Sequence, residues 1–238
     1  MQKLSWMAPT VYCLLAVFLL RSHVAYVYAA AILLVALTVC IHKKTKSQPV
    51  ITLARWLAVL SAIGISAAVI LSIEKIEMLS EPTHIASCSI SPVVACSPVI
   101  ASPQASAFGF PNSFIGIFGF TAVFTAAMTI ASGAQIISKL WWRTLLGGIA
   151  AGTLFSSWLF YQGVFNIGKL CLYCMLVWLV TFAMLWLTTA YCVKQKYIDF
   201  GVRLNKVLSS KYDLILISYA IMFLLLLIRW SDYWFSLV

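Results

Sequence analysis

"KLCLYCMLVWLVTFAMLWLTTAYC", residues 169–192, places a C-x-x-C at the mouth of a long apolar run. From Leu172 to Cys192 the run carries no charged residue. A bilayer crossing needs about 20 predominantly apolar residues, so this segment reads as a transmembrane helix. Cys171 and Cys174 stand at its entrance.

The rest of the chain has the same character. Of its 238 residues, 63% are hydrophobic and 9% charged, against roughly 25% charged in a soluble domain. The expected fold is an all-α integral membrane protein. Four further stretches are long and apolar enough to span, at 53–73, 114–137, 145–164 and 212–230. Residues 23–41 make a sixth candidate, and 5–20, interrupted by Pro9, a seventh. Residues 1–50 are thus expected to form an N-terminal hydrophobic extension of one or two spans. "LLRSHVAYVY" (19–28) offers no small-residue cleavage site, so the extension reads as an uncleaved hairpin.

The net charge is +10, from 16 basic and 6 acidic residues. Aromatic residues are not interleaved with any basic patch, which argues against nucleic-acid binding. The basic residues instead mark a side of the membrane. With seven alternating spans, Lys3, Lys43, Lys44, Lys46, Arg55, Lys139, Arg143, Lys194, Lys196, Arg203, Lys206 and Lys211 fall on one side. Arg21, Lys75, Lys169 and Arg229 fall on the other. The basic-rich side is cytoplasmic by the positive-inside rule. Cys171 and the long loop 74–113 then face outward, into a compartment that permits disulfides.

That loop contains Pro82, Pro92, Pro98, Pro103 and Pro111. Proline breaks helices, so the loop is expected to be irregular, with short helices at most. Its Ile, Val, Phe and Ala suit a lid lying on the bundle better than a solvated linker. It carries Cys88 and Cys96, a C-x₇-C pair. The outward face therefore gathers four of the seven cysteines. Cys13, Cys40 and Cys192 read as small buried hydrophobes.

The two outward pairs admit three readings. They form static disulfides that staple the loop. They form a Cys₄ metal site in a transporter or assembly factor, although zinc ribbons pair two C-x-x-C knuckles. Or they form a relay, in which a mobile loop disulfide takes electrons from a soluble dithiol and passes them to the C-x-x-C. A helix N-terminus favours a thiolate, and Lys169 is adjacent. The natural terminal acceptor in a bilayer is a lipid-soluble quinone.

Other residues have plainer readings. Glu74 and Glu77 read as a charged cap where a span meets the loop, and His84 as a surface residue. Gly148-x-x-x-Gly152 suggests close helix packing. Asn112, in "PNS" before an apolar run, suits a helix N-cap.

"LSIEKIEML" (71–79), "CSISPVVACSPV" (88–99), "QASAFGFPNSFIGIFGF" (104–120), "FNIGKLCLYCMLVW" (165–178) and "IRWSDYW" (228–234) follow one another in order. Together they resemble the bacterial branch of the vitamin K epoxide reductase family, from about residue 55 onward. The resemblance implies a four-helix bundle around a quinone, menaquinone or ubiquinone, within a catalytic membrane domain at 51–238. It implies that Cys88 exchanges with a DsbA-like thioredoxin-fold partner and that Cys96 pairs transiently with Cys171. Cys174 is then expected beside the quinone, with Asn112 hydrogen-bonding a quinone carbonyl. Trp178, one turn after Cys174 where vertebrate members have tyrosine, is the second residue expected at the quinone, its N–H a donor for a carbonyl. The implied location is a bacterial inner membrane, with the active cysteines on the periplasmic side. Ser97 replaces the glycine that often follows the second loop cysteine. Many bacterial relatives carry a fused thioredoxin domain; its absence from the resembling region implies a separate partner.

Overall fold

A computed structural model of the protein describes residues 48–231, apart from positions 82 and 137. Residues 1–47, with the expected N-terminal spans and with Cys13 and Cys40, lie outside the described residues.

Among the described residues there are seven α-helices and no strand, only an isolated bridge between Val94 and Leu170. They are α1 (Pro49–Ser80), α2 (Cys96–Ala101), α3 (Asn112–Ala131), α4 (Lys139–Tyr161), α5 (Leu172–Lys194), α6 (Val202–Leu208) and α7 (Lys211–Arg229). Five of these, α1, α3, α4, α5 and α7, are long and apolar enough to cross a membrane.

Local chemistry sets the helix ends. Pro49 opens α1, where its missing N–H costs nothing. At 32 residues, α1 is about 48 Å long and outruns a hydrocarbon core of about 30 Å. The helix therefore continues past the expected end at residue 73 and carries Glu74, Lys75 and Glu77 on its outward turns. α3 stops at Ala131 instead of 137, because Gly133 takes a left-handed φ of 103° and its N–H caps Ile130 O. Ser138 caps α4 by accepting from the Trp141 N–H. The far end of α4 widens into a π-helical turn, Gln162–Ile167, and is closed by Gly168 at φ 68°.

Helices α1, α3, α4 and α5 form a four-helix bundle. α1 packs against α3 and α5, and α4 closes the ring between α5 and α3. α7 lies on α5, where Trp186 donates to Ser218 Oγ at 2.9 Å and Tyr219 to Leu179 O at 2.7 Å. The tightest approach is between α1 and α3. A Cβ on Gly64 would come within 2.5 Å of the Phe120 ring, and one on Gly116 within 3.2 Å of Ala68. By contrast, Gly148 and Gly152 meet nothing within 4 Å. Among the described residues they do not make the close helix contact expected of them and instead line a cavity.

The half of the bundle away from the cysteines is filled by Leu57, Trp142, Leu146, Val180, Met184 and their neighbours. Buried hydroxyls there return to their own helices, as Ser61 does to Leu57 O and Thr153 to Ile149 O. The half nearer the cysteines opens into the cavity, with loop 81–111 above it.

Candidate redox site

Cys88 and Cys96 are joined as a disulfide. The loop that carries it is packed down on the bundle, as a lid would be. Two backbone bonds attach it to the C-x-x-C segment: Leu170 N–H to Val93 O and Ala95 N–H to Leu170 O, both 2.9 Å. Lys169 Nζ adds a bond to Pro92 O at 2.6 Å, and Lys75 Nζ one to Ile100 O at 2.8 Å. The residues next to Cys96 and Cys171 are therefore zipped together. The Cys171 sulfur lies within 4.8 Å of both disulfide sulfurs. Cys88, Cys96 and Cys171 are 2%, 0% and 1% exposed. A Cys₄ metal site needs four thiolates, and the disulfide uses two.

Cys171 is the N-cap of α5, in extended conformation, and its carbonyl accepts from Met175 N–H at 3.0 Å. Hydrogen bonding from the Cys174 thiol, then from the Cys174 and Tyr173 N–H groups, holds the Cys171 thiol below its ordinary pKa; burial opposes this. The sulfur nearest the loop disulfide is thus the one the helix start makes acidic. Cys174 lies in the first turn, half-buried. It packs both on the cysteine cluster and on the apolar cluster around Trp178.

The cavity has a volume of about 790 Å³. Its walls come from all four bundle helices and are mostly apolar, including Phe120, Phe155, Gly148, Gly152, Val177 and Met184. Cys171, Cys174, Asn112 and Trp178 also border it, as do Lys75 and Lys169 near the loop. A chamber of this size and polarity matches those that hold small apolar ligands.

Asn112 is buried at the first position of α3. It is not the N-cap: Pro111 occupies that place, so the Asn112 amide is free to hold the loop. Its Nδ2 donates to Gln104 O at 2.7 Å and its Oδ1 accepts from Ala107 N–H at 3.1 Å. An amide has two N–H donors, so one remains. Trp178 is buried edge-on against Phe160, with ring centroids 4.8 Å apart. Its indole N–H makes no hydrogen bond among the described residues. Of the six expected site residues, Asn112, Cys171, Cys174 and Trp178 border the chamber, and Cys88 and Cys96 pack on Cys171 beside it.

Glu74 does more than form part of a charged cap: it holds the loop through specific hydrogen bonds. Glu74 is 5% exposed. Oε1 accepts from the Ser87 N–H at 3.1 Å and from the Ser87 hydroxyl; Oε2 lies 2.9 Å from His84 Nε2. His84 also pairs with Glu77 at 3.2 Å, so it is not a lone surface residue. Ser87 directly precedes Cys88. The available sequence signal was an acidic residue at the end of an apolar run, with a serine beside the loop cysteine.

A family model described as the Vitamin K epoxide reductase family matches residues 55–189, more than half of the chain. The matched region runs from α1 into the last turns of α5 and includes the four helices that enclose the cavity. No curated protein matches the chain. The chain belongs to the vitamin K epoxide reductase family, whose members are quinone-linked thiol oxidoreductases.

Proposed function

We propose that this member of the vitamin K epoxide reductase family carries electrons from a reduced thioredoxin-fold, DsbA-like partner outside the membrane to a quinone, and so supports disulfide formation. The observation that carries this reading is the position of Cys171. Its sulfur is within 4.8 Å of the loop disulfide, while Cys174, one turn along, borders the cavity.

The exchanges balance as follows. A partner thiolate attacks Cys88; the Cys88–Cys96 bond breaks and Cys96 leaves as a thiolate. The partner's second thiol displaces Cys88, so the partner departs oxidised and the loop pair reduced. With Cys171–Cys174 as a disulfide, Cys96 attacks Cys171 and Cys174 leaves as a thiolate. Cys88 then resolves the Cys96–Cys171 bond, which restores the loop disulfide and leaves Cys171 and Cys174 as a dithiol. This is the arrangement seen here, with the loop pair bonded and Cys171 and Cys174 free. Closing the Cys171–Cys174 disulfide releases two electrons and two protons, which a menaquinone or ubiquinone takes up when bound.

The chain's own residues suit that acceptor. The chamber is apolar and of ligand size. The spare Asn112 N–H and the unpaired Trp178 N–H are donors for carbonyl oxygens that gain negative charge. The outward orientation rests on the distribution of basic residues. Because α1, α3, α4, α5 and α7 alternate in direction, Lys75, Lys169 and Arg229 share the end that bears the cysteines.

The test uses the full chain in detergent, with a reduced thioredoxin-fold protein and either ubiquinone or menaquinone, and counts partner thiols over time. Thiol loss that requires quinone and disappears in Cys174→Ala is the expected result. Unchanged thiols beside an active quinone control would overturn the reading.

A further inference from the structure

The loop disulfide poses an access problem. Cys88 is 2% exposed, so no soluble thiol reaches it in this conformation. One arm of the loop has to open, and the arms are held differently. The Cys96 arm is fixed by backbone bonds through Ala95 and Val93 to Leu170, and by Lys169 and Lys75. Among the described residues, the polar ties from the Cys88 arm to the bundle run to Glu74, Glu77 and Tyr173. Glu74 supplies most of them: Ser87 N–H, Ser87 Oγ and His84 Nε2. Tyr173, between the two cysteines of the C-x-x-C, lies 3.5 Å from Ser87 Oγ.

We propose that Glu74 is a positioning residue that latches the Cys88 arm shut, and that release of Ser87 from its carboxylate presents Cys88 to a soluble thiol while Cys96 stays against Cys171. A carboxylate so deeply buried is costly unless fully hydrogen-bonded. Here its partners are the residue before Cys88 and a histidine three residues further back. Such bonds are roughly twice as strong as neutral ones, so they hold the arm firmly, yet they let go as a unit. The functional meaning of the latch rests on the relay reading; its effect on access to Cys88 does not.

A latch moves one readout and leaves the other in place, whereas loosening of the whole loop moves both. The first is the rate at which dithiothreitol reduces Cys88–Cys96 in the full-length protein in detergent, followed by maleimide mass shift. The second is the yield of the Cys96–Cys171 bond in a Cys174→Ser background. There the Cys171 thiolate attacks Cys96 and Cys88 leaves as the thiolate. Glu74→Gln keeps the shape and removes the charge. It should speed reduction about fivefold to tenfold and leave the internal bond's yield no lower than in wild type. Ser87→Ala should act in the same direction, more weakly, and Ser87→Thr should restore the slow reduction. If Glu74→Gln does not fold, Ser87→Ala carries the test alone. Reduction that does not speed up, or faster reduction with a lower internal-bond yield, overturns the latch. If wild-type protein shows no quinone-dependent oxidation of a partner, the relay fails, while the dithiothreitol comparison still decides the latch.

Discussion

The backbone N–H of Ala95 donates to the carbonyl of Leu170 at 2.9 Å, and each of these residues directly precedes a cysteine of the site. The bond sets Cys96 beside Cys171. Cys88, eight residues earlier, is not part of that register. When Cys174 is replaced by serine, the trapped internal disulfide should therefore join Cys171 to Cys96, at least several-fold in excess over Cys88. Peptide mass spectrometry of the non-reduced protein reads this directly. A predominant Cys88–Cys171 product would contradict the geometry.

Trp178 separates packing from polarity. It is buried against Phe160 and borders the cavity, with its N–H unpaired. Trp178→Phe keeps the apolar bulk and removes only the donor. Its thermal midpoint should stay close to wild type while the KM for quinone rises several-fold, with Cys88–Cys96 exchange unaffected. Trp178→Ala removes the ring and should destabilise the protein by about 3–5 kcal/mol. An unchanged quinone KM in Trp178→Phe would remove the indole from ligand binding.

The five spans among the described residues were legible because an apolar run of bilayer length has few other uses. Their ends were less so. α1 extends through Glu74, Lys75 and Glu77, because charged residues are tolerated once a helix leaves the hydrocarbon. The order and spacing of Cys88, Cys96, Cys171 and Cys174 exposed the site, since chain order survives in an irregular loop. Contacts across that loop left no such trace. Glu74 meets Ser87, 13 residues on, through a turn that has no periodicity to read. Asn112 likewise finds Gln104 and Ala107 through a short 3₁₀ turn, Pro103–Ser106, which makes it a brace where a cap was expected. Gly148 and Gly152 have the spacing of a packing motif, yet whether a glycine admits a neighbouring helix or leaves a void depends on what stands opposite.

His84 makes the loop's hold depend on pH. Its hydrogen bond to Glu74 raises its pKa above the ordinary 6.5, with the charges of Glu74 and Glu77 on α1 and Glu81 on the loop adding to this; burial opposes it. A raised pKa means that the histidinium stabilises the closed arm fully below the ordinary value. That contribution fades as pH rises through the raised one. Reduction of Cys88–Cys96 by dithiothreitol, normalised to thiolate concentration, should therefore accelerate across the window above 6.5. In His84→Asn the normalised rate should be flat there. A wild-type profile as flat as that variant's would show that His84 does not hold the arm.

Two sets of glycines should respond oppositely to the same substitution. Gly64 faces the buried Phe120 ring, three of whose atoms would lie 2.5–2.7 Å from an added Cβ. That ring cannot retreat without disturbing the α1–α3 contact, so Gly64→Ala should cost about 1–3 kcal/mol. Gly148 has nothing within 4 Å and borders the chamber. Gly148→Ala should be stabilising by up to about 1 kcal/mol, from helix propensity alone. Gly148→Leu should keep that stability while its side chain enters the space a quinone needs. Its quinone KM should rise at least several-fold, with exchange at Cys88–Cys96 unchanged. Thermal unfolding and quinone titration of the three variants give the comparison. A Gly148→Leu protein that is stable and binds quinone like wild type would place the ligand elsewhere than in this chamber.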